Sequence, residues 1–298
     1  MYRAHFGLRE APFGITPDTS FFFACANYQE ALNTLLIAVR NGEGFIKITG
    51  EVGTGKTLLC RKFLASLDGQ FKSAYIPNPY LEPRTLLLAL ADELDIELAK
   101  DIDQHQLLKA LTMSLLNFAR QGKQVVVCLD EAQALPIESL ETIRLLTNLE
   151  TEKRKLMQVV LFGQPELNEK LAQASVRQLQ QRITFQYELR MLSAEEVDYY
   201  VNHRLNIAGY SGGRLFSQSA LRRLYRASGG VPRLVNILAH KALMLAYGEG
   251  VQHIAQRHVR VAAADTPAAK RDGWRKWAVA ALVVIIASTL GLGWWLNK

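Results

Sequence analysis

A chain of 298 residues, 49% of them hydrophobic, has enough apolar side chains to bury one large core or two modest ones. Its formal net charge of +7 suits contact with anions such as nucleotides, nucleic acid or acidic lipid headgroups, and singles out none of them. The three cysteines, Cys25, Cys60 and Cys128, are scattered singly and without metal-ligand spacing, which points to buried small hydrophobes in a reducing compartment.

Met1 to Glu10 mixes charged and aromatic residues with no apolar run, so no signal peptide is expected. Gly44 to Thr49, GFIKIT, reads as a short strand. It leads into Gly50-Glu51-Val52-Gly53-Thr54-Gly55-Lys56-Thr57, the pattern G-x-x-x-x-G-K-T, followed by an apolar-periodic helix with Leu58, Leu59, Phe63 and Leu64. Glycines let the backbone curl until successive N–H groups face one phosphate chain, and the helix N-terminus adds partial positive charge. Residues Gly50 to Leu58 are therefore the expected ATP cradle, with Lys56 reaching the β- and γ-phosphates and the Thr57 hydroxyl a ligand for Mg²⁺.

Ser73 to Ile76 is a further strand, with helical segments after it. Gln124 to Gln133, QVVVCLDEAQ, is a continuous apolar run suited to a strand covered on both faces, and it ends in Asp130-Glu131. A carboxylate at the edge of such a strand, beside the phosphate loop, can hold Mg²⁺, which is the role expected of Asp130. The adjacent Glu131 is the expected general base. Pro136 opens an apolar-periodic helix through Leu140, Ile143 and Leu149, and Met157 to Phe162 is another buried strand, followed by Gly163-Gln164. Arg177 and Arg182 flank a polar stretch before a last strand at Thr184 to Leu189.

From Leu192 onward the pattern turns helical. Ser193 to Glu196 forms a capping box, Val197, Tyr200, Val201 and Leu205 make one stripe, Ser217 caps a second helix, and Gly229-Gly230-Val231-Pro232-Arg233 opens a third. Ala262 to Gly273 reads as a linker rich in small residues. Trp277 to Leu296 carries no charge, and about 20 such residues cross a hydrocarbon core of ~30 Å. Trp277, Trp294 and Trp295 sit at its ends, and Lys270, Arg271, Arg275 and Lys276 precede it, so a single transmembrane helix with the bulk of the chain in the cytoplasm is expected.

The order GEVGTGKT, VVVCLDEAQ, LFGQPEL, RQLQQRI and SGGVPR resembles the ExeA/GspA family of AAA+ ATPases of type II secretion, and FGLREAPFGITPD (Phe6 to Asp18) is similar to that family's opening motif. Within the family the chain is most similar to members serving biogenesis of the mannose-sensitive haemagglutinin (MSHA) pilus. The resemblance runs from about Phe6 to the apolar end. It implies an α/β P-loop AAA+ core with a parallel sheet, an all-α lid and a C-terminal transmembrane helix. The expected boundaries are a core with its N-terminal strap at 1–190, a lid at 191–261, a basic linker at 262–276 and the membrane helix at 277–296. It further implies that the opening motif packs near the adenine, that Gln164 is the first sensor and Arg233 the second, and that Arg182, or failing it Arg177, is a finger reaching a neighbouring subunit. The implied activity is Mg²⁺-dependent ATP hydrolysis by a homo-oligomeric ring or partial ring at the inner membrane, working with pilus or secretion assembly proteins. Family members that continue into a peptidoglycan-binding region give no ground for expecting cell-wall binding here. The alternative class is a DNA-handling AAA+ ATPase of the transposition-helper or clamp-loader type. The sequence shows no helix-turn-helix or aromatic-basic platform, so specific nucleic-acid binding is not expected.

Overall fold

A computed structural model describes residues 2–77, 80–150 and 155–269. After a short α1 (Tyr2–His5), α2 (Ala26–Arg40) precedes β1 (Phe45–Gly50), and α3 (Lys56–Ala65) follows it at once. The chain continues through β2 (Phe71–Ile76), α4 (Pro83–Glu93), α5 (Gln104–Arg120) and β3 (Gln124–Leu129). Next come α6 (Ile137–Leu146), β4 (Met157–Gly163), α7 (Glu166–Leu171), α8 (Arg177–Gln180) and β5 (Ile183–Leu189). Four helices close the described chain: α9 (Ala194–Ile207), α10 (Gln218–Ser228), α11 (Pro232–Gly248) and α12 (Gln256–Ala264).

The five strands form one parallel sheet in the order β2-β3-β4-β1-β5. Alternation along each strand divides its side chains between two apolar layers. Val126, Cys128, Val160 and Phe162 pack with α2 and α3 on one face, while Val125, Val127, Val159 and Leu161 pack with α4, α5 and α6 on the other. Coverage on both faces leaves β1, β3 and β4 buried along nearly their whole length, with Lys47, Thr49 and Gln158 among the buried residues. The edge strand β5 alternates between half-buried and exposed residues instead. Helix α6 stops at Leu146, so the periodicity that extended to Leu149 overran it by the residues in which Thr147 caps the last turn.

The four terminal helices share the apolar layer of α2 and α3, so core and lid are joined by one continuous cluster. The N-terminal strap, which the sequence assigned to the core, packs largely on the lid. Tyr2 hydrogen-bonds His240, the Arg9 N–H donates to the Ala208 carbonyl, and Phe13 meets Phe216 edge-on at 6.0 Å. The expected linker at 262–276 also begins later, because α12 runs to Ala264 and Thr266 caps back to the Ala262 carbonyl. The expected C-terminal transmembrane helix is likewise corrected. No helix among the described residues is long and apolar enough to cross a membrane, and the segment 277–296 lies outside the described residues.

Two contacts set the joint between sheet and lid. Gly230 has φ of +79°, and a Cβ there would stand 2.0 Å from the Leu192 carbonyl oxygen, whose own N–H donates to the Gly230 carbonyl. Gly230→Ala should therefore destabilise the protein by more than about 2 kcal/mol in denaturant titration. The second contact is Arg190, which grips Glu196 through both guanidinium nitrogens at 2.7 and 2.8 Å, while Ser193 completes the capping box of α9. Arg190 first, with the Ser193 amide, holds the Glu196 carboxyl down at about 2, against an ordinary 4.5. A depressed carboxyl contributes stability above its unfolded value that is lost as pH falls through the folded one. Glu196→Gln should be less stable than wild type at pH 7, with the gap in melting temperature closing between pH 4.5 and 2.

Candidate active site

β1 ends at Gly50, and the loop to α3 turns on Gly53 and Gly55, at φ of +81° and +91°. Both glycines are also sterically required. A Cβ on Gly53 would stand 2.8 Å from Cβ of Arg233, and one on Gly55 would stand 3.2 Å from the Tyr28 hydroxyl. Within the loop the Thr54 hydroxyl donates to the Glu51 carbonyl at 2.8 Å, and the Tyr28 hydroxyl donates to the Thr54 carbonyl. Val52 is exposed at the tip, and Leu58 is half-buried in the first turn of α3.

Lys56 is buried, and its Nζ donates to the Gly50 carbonyl at 2.7 Å and the Glu51 carbonyl at 3.1 Å. Burial lowers its pKa, and the carboxylates of Glu131 and Asp130 oppose that shift. The Thr57 hydroxyl donates to Asp130 Oδ2 at 2.6 Å, and the Tyr75 hydroxyl reaches the same oxygen at 3.3 Å. Burial pushes the Asp130 carboxyl up despite these bonds. A buried carboxylate paired with a hydroxyl, at the foot of a phosphate loop, is a hard oxygen set of the kind Mg²⁺ takes when phosphates supply its other ligands. The residues present fit that ion.

Glu131 follows with a left-handed backbone, φ of +53°, which a non-glycine residue adopts only where its surroundings impose it. Its Oε2 accepts from Gln164 Nε2 at 2.9 Å and from Gln133 Nε2 at 2.6 Å. The structure thus brings together Glu131 and Gln164, which the sequence proposed separately.

A cavity of about 340 Å³ lies over this loop. Gly53, Lys56, Thr57 and Glu131 line one end, the strap residues Gly14 to Asp18 with Phe22 and Phe23 line the other, and Arg233 borders it from the lid. The Arg233 N–H donates to the Gly53 carbonyl at 3.2 Å, so the first turn of α11 sits directly on the phosphate loop. Arg182 and Arg177 do not line the cavity. Arg182 donates to the Asn148 side chain, and Arg177 is exposed at the start of α8.

Sequence reasoning missed several residues. Tyr75 and Gln133 sat inside motifs already quoted, where their reach toward Asp130 and Glu131 was not visible. Arg204 gave no signal at all. It is a buried cation on α9 that donates to the carbonyls of Pro12 and Gly14 and lies over the Phe21 ring at 4.5 Å. Asn236 on α11 also reaches the Gly14 carbonyl, at 3.3 Å, and accepts from the Tyr200 hydroxyl at 3.0 Å.

Comparison with known proteins agrees with this geometry. Residues 39–171 match the AAA domain family. The chain is 42% identical over 296 residues, 99% of its length, to general secretion pathway protein A of Aeromonas hydrophila, and it spans 54%, about half, of that protein. Among solved structures, the Cdc6p protein of Pyrobaculum aerophilum superposes with a TM-score of 0.65 at 20% identity, over 82% of this chain and 70% of that one. Drosophila ORC bound to DNA superposes at 0.64 and 18% identity, over 85% of this chain and 63% of that one. At such identities these two likenesses show the fold alone. The AAA domain and the near-complete alignment make the chain similar to general secretion pathway protein A, of the ExeA/GspA type, over the half of that protein which it spans.

Proposed function

We propose that this protein binds ATP with Mg²⁺ in the cavity over the phosphate loop, hydrolyses it, and uses the turnover in a homo-oligomer to support secretion or pilus assembly. The observation that carries the hydrolytic reading is the 2.6 Å bond from Thr57 to Asp130, with Glu131 turned beside it. Bound ATP would supply the phosphoanhydride to be cleaved, and Mg²⁺ the neutralising charge on its phosphates. Backbone N–H groups of residues 52–57 and Lys56 would hold the phosphates, and Thr57 with Asp130 would hold the ion. Glu131 would take the proton of the attacking water, with Gln164 orienting it and Arg233 sensing the nucleotide from the lid. The strap and aromatic end of the cavity suits a purine.

The secretion role rests on the 42% identity to general secretion pathway protein A, with the inner membrane as the proposed place of work. Assembly of an MSHA-like type IV pilus is the more specific form of the same proposal. Genomic neighbourhood tests it: genes for pilins or pilus assembly beside this one support the pilus form, and secretion genes alone support the broader one. The DNA-handling alternative rests on the shared fold only.

Roles within the site separate by mutation. Lys56→Ala should abolish ATP binding, whereas Glu131→Gln should retain affinity and lose turnover by about 10²-fold or more. Equal loss of affinity in both, measured with a fluorescent ATP analogue, would contradict the division of roles.

If Arg182 is the finger acting across a subunit interface, Arg182→Ala and Lys56→Ala proteins should each be nearly inactive, and their mixture should recover part of the turnover. Fingers of this kind contribute on the order of 10³–10⁵ in rate. A mixture that oligomerises and stays inactive removes Arg182 from the role and leaves Arg177, exposed at the start of α8, as the next candidate.

A further inference from the structure

Between β3 and α6, the Gln133 side chain bridges two groups with opposite needs. Its Nε2 donates to Glu131 Oε2 at 2.6 Å, and its Oε1 accepts from the Gln164 backbone N–H at 3.0 Å. A carboxylate can only accept and a backbone N–H can only donate, so the amide has one possible orientation here. An amide meets both demands at once. A carboxylate of the same length would keep the bond to Gln164 and set a like charge against Glu131, and an apolar side chain would do neither.

The bridge is itself anchored. Lys170 on α7 donates to the carbonyls of Gln133 and Leu135, fixing both ends of the turn that carries the amide. Gly163, at the end of β4, leaves the necessary room, since a Cβ there would stand 3.2 Å from Gln133 Oε1. The turn begins at Glu131, whose left-handed backbone would otherwise have several ways to relax. Gln164 closes the circuit by donating its own side-chain amide to the same Glu131 oxygen at 2.9 Å.

We infer that Gln133 is a positioning residue that locks Glu131 and Gln164 into one hydrogen-bonded unit, fixing which Glu131 oxygen is left free to receive a proton from water. The inference rests on the hydrolytic reading of the site. With Oε2 taken by two amides, Oε1 is the oxygen available for the reaction.

The test uses the full chain with ATP and Mg²⁺, and compares wild type, Gln133→Ala and Gln133→Glu. Three quantities are measured: ATP affinity, KM and kcat. Both variants should bind ATP within about threefold of wild type and lose about tenfold or more in kcat, as displacement of a reacting group predicts. KM should stay near the wild-type value in both, because the phosphate loop is untouched. The loss in kcat should be larger in Gln133→Glu, which keeps the Gln164 bond and sets a like charge against Glu131. Gln133→Ala within twofold of wild type in kcat, or both variants losing ATP affinity in step with kcat, would overturn the assignment while hydrolysis itself stands. A wild-type protein that binds ATP and shows no turnover would instead overturn the hydrolytic reading, and the inference with it.

Discussion

Strands β1, β4 and β3 lie side by side with their C-terminal ends level. Thr49 pairs with Gly163 and Leu129 with Leu161, so counting onward sets Gly50 beside Gln164 and Glu131 beside Gly163. The phosphate loop, the sensor position and the two carboxylates therefore leave the sheet at one height, within side-chain reach of one another. β4 between the two motif strands opens a gap that a phosphate chain and an ion can fill. A shift of a single residue in either ladder would turn alternate side chains to the opposite face and raise or lower one loop against the others. The dry layers on both sides of the sheet make such a shift costly, because each carries fully buried side chains such as Leu59, Phe63, Leu111 and Ile143.

The second constraint lies at the other end of the cavity, where core, strap and lid meet. Arg204 binds strap carbonyls while stacked on an aromatic ring, and α11 places the Arg233 backbone on the phosphate loop. The strap is thus held by the lid and also by the core, where Arg61 on α3 donates to the Pro17 carbonyl at 3.0 Å. A ligand that bridges the two ends would alter the lid through these contacts, which gives a physical route from nucleotide state to subunit arrangement.

Much of this was legible in the sequence because particular residues serve one purpose wherever they occur together. The glycines around Lys56 needed left-handed backbone and close approach, and the run QVVVCLDEAQ needed a strand covered on both sides. Both requirements are local, so pattern alone reveals them. What stayed hidden depends on tertiary proximity. The strap was assigned to the core because it precedes it in the chain, yet its aromatic residues are buried against helices some two hundred residues away. Arg204 gave no sequence signal because its partners include backbone carbonyls, which leave no trace in composition. Gln133 stood in plain view, but its partner Gln164 lies just past the end of another strand, β4. The apolar stretch 277–296 led to a membrane helix in the expected fold. The described residues hold the α/β core and the helical lid and stop at Ala269.

The claim on which the rest turns is that the cavity over the loop from Gly50 to Thr57 receives a nucleoside triphosphate and its metal. A crystal structure of the full chain with Mg²⁺ and a non-hydrolysable ATP analogue tests this most directly. The account predicts the triphosphate wrapped by residues 52–57, the cation on Thr57 and Asp130, and the base between the strap and the lid. A nucleotide bound elsewhere, or phosphates in the loop with the metal away from Asp130, would contradict it.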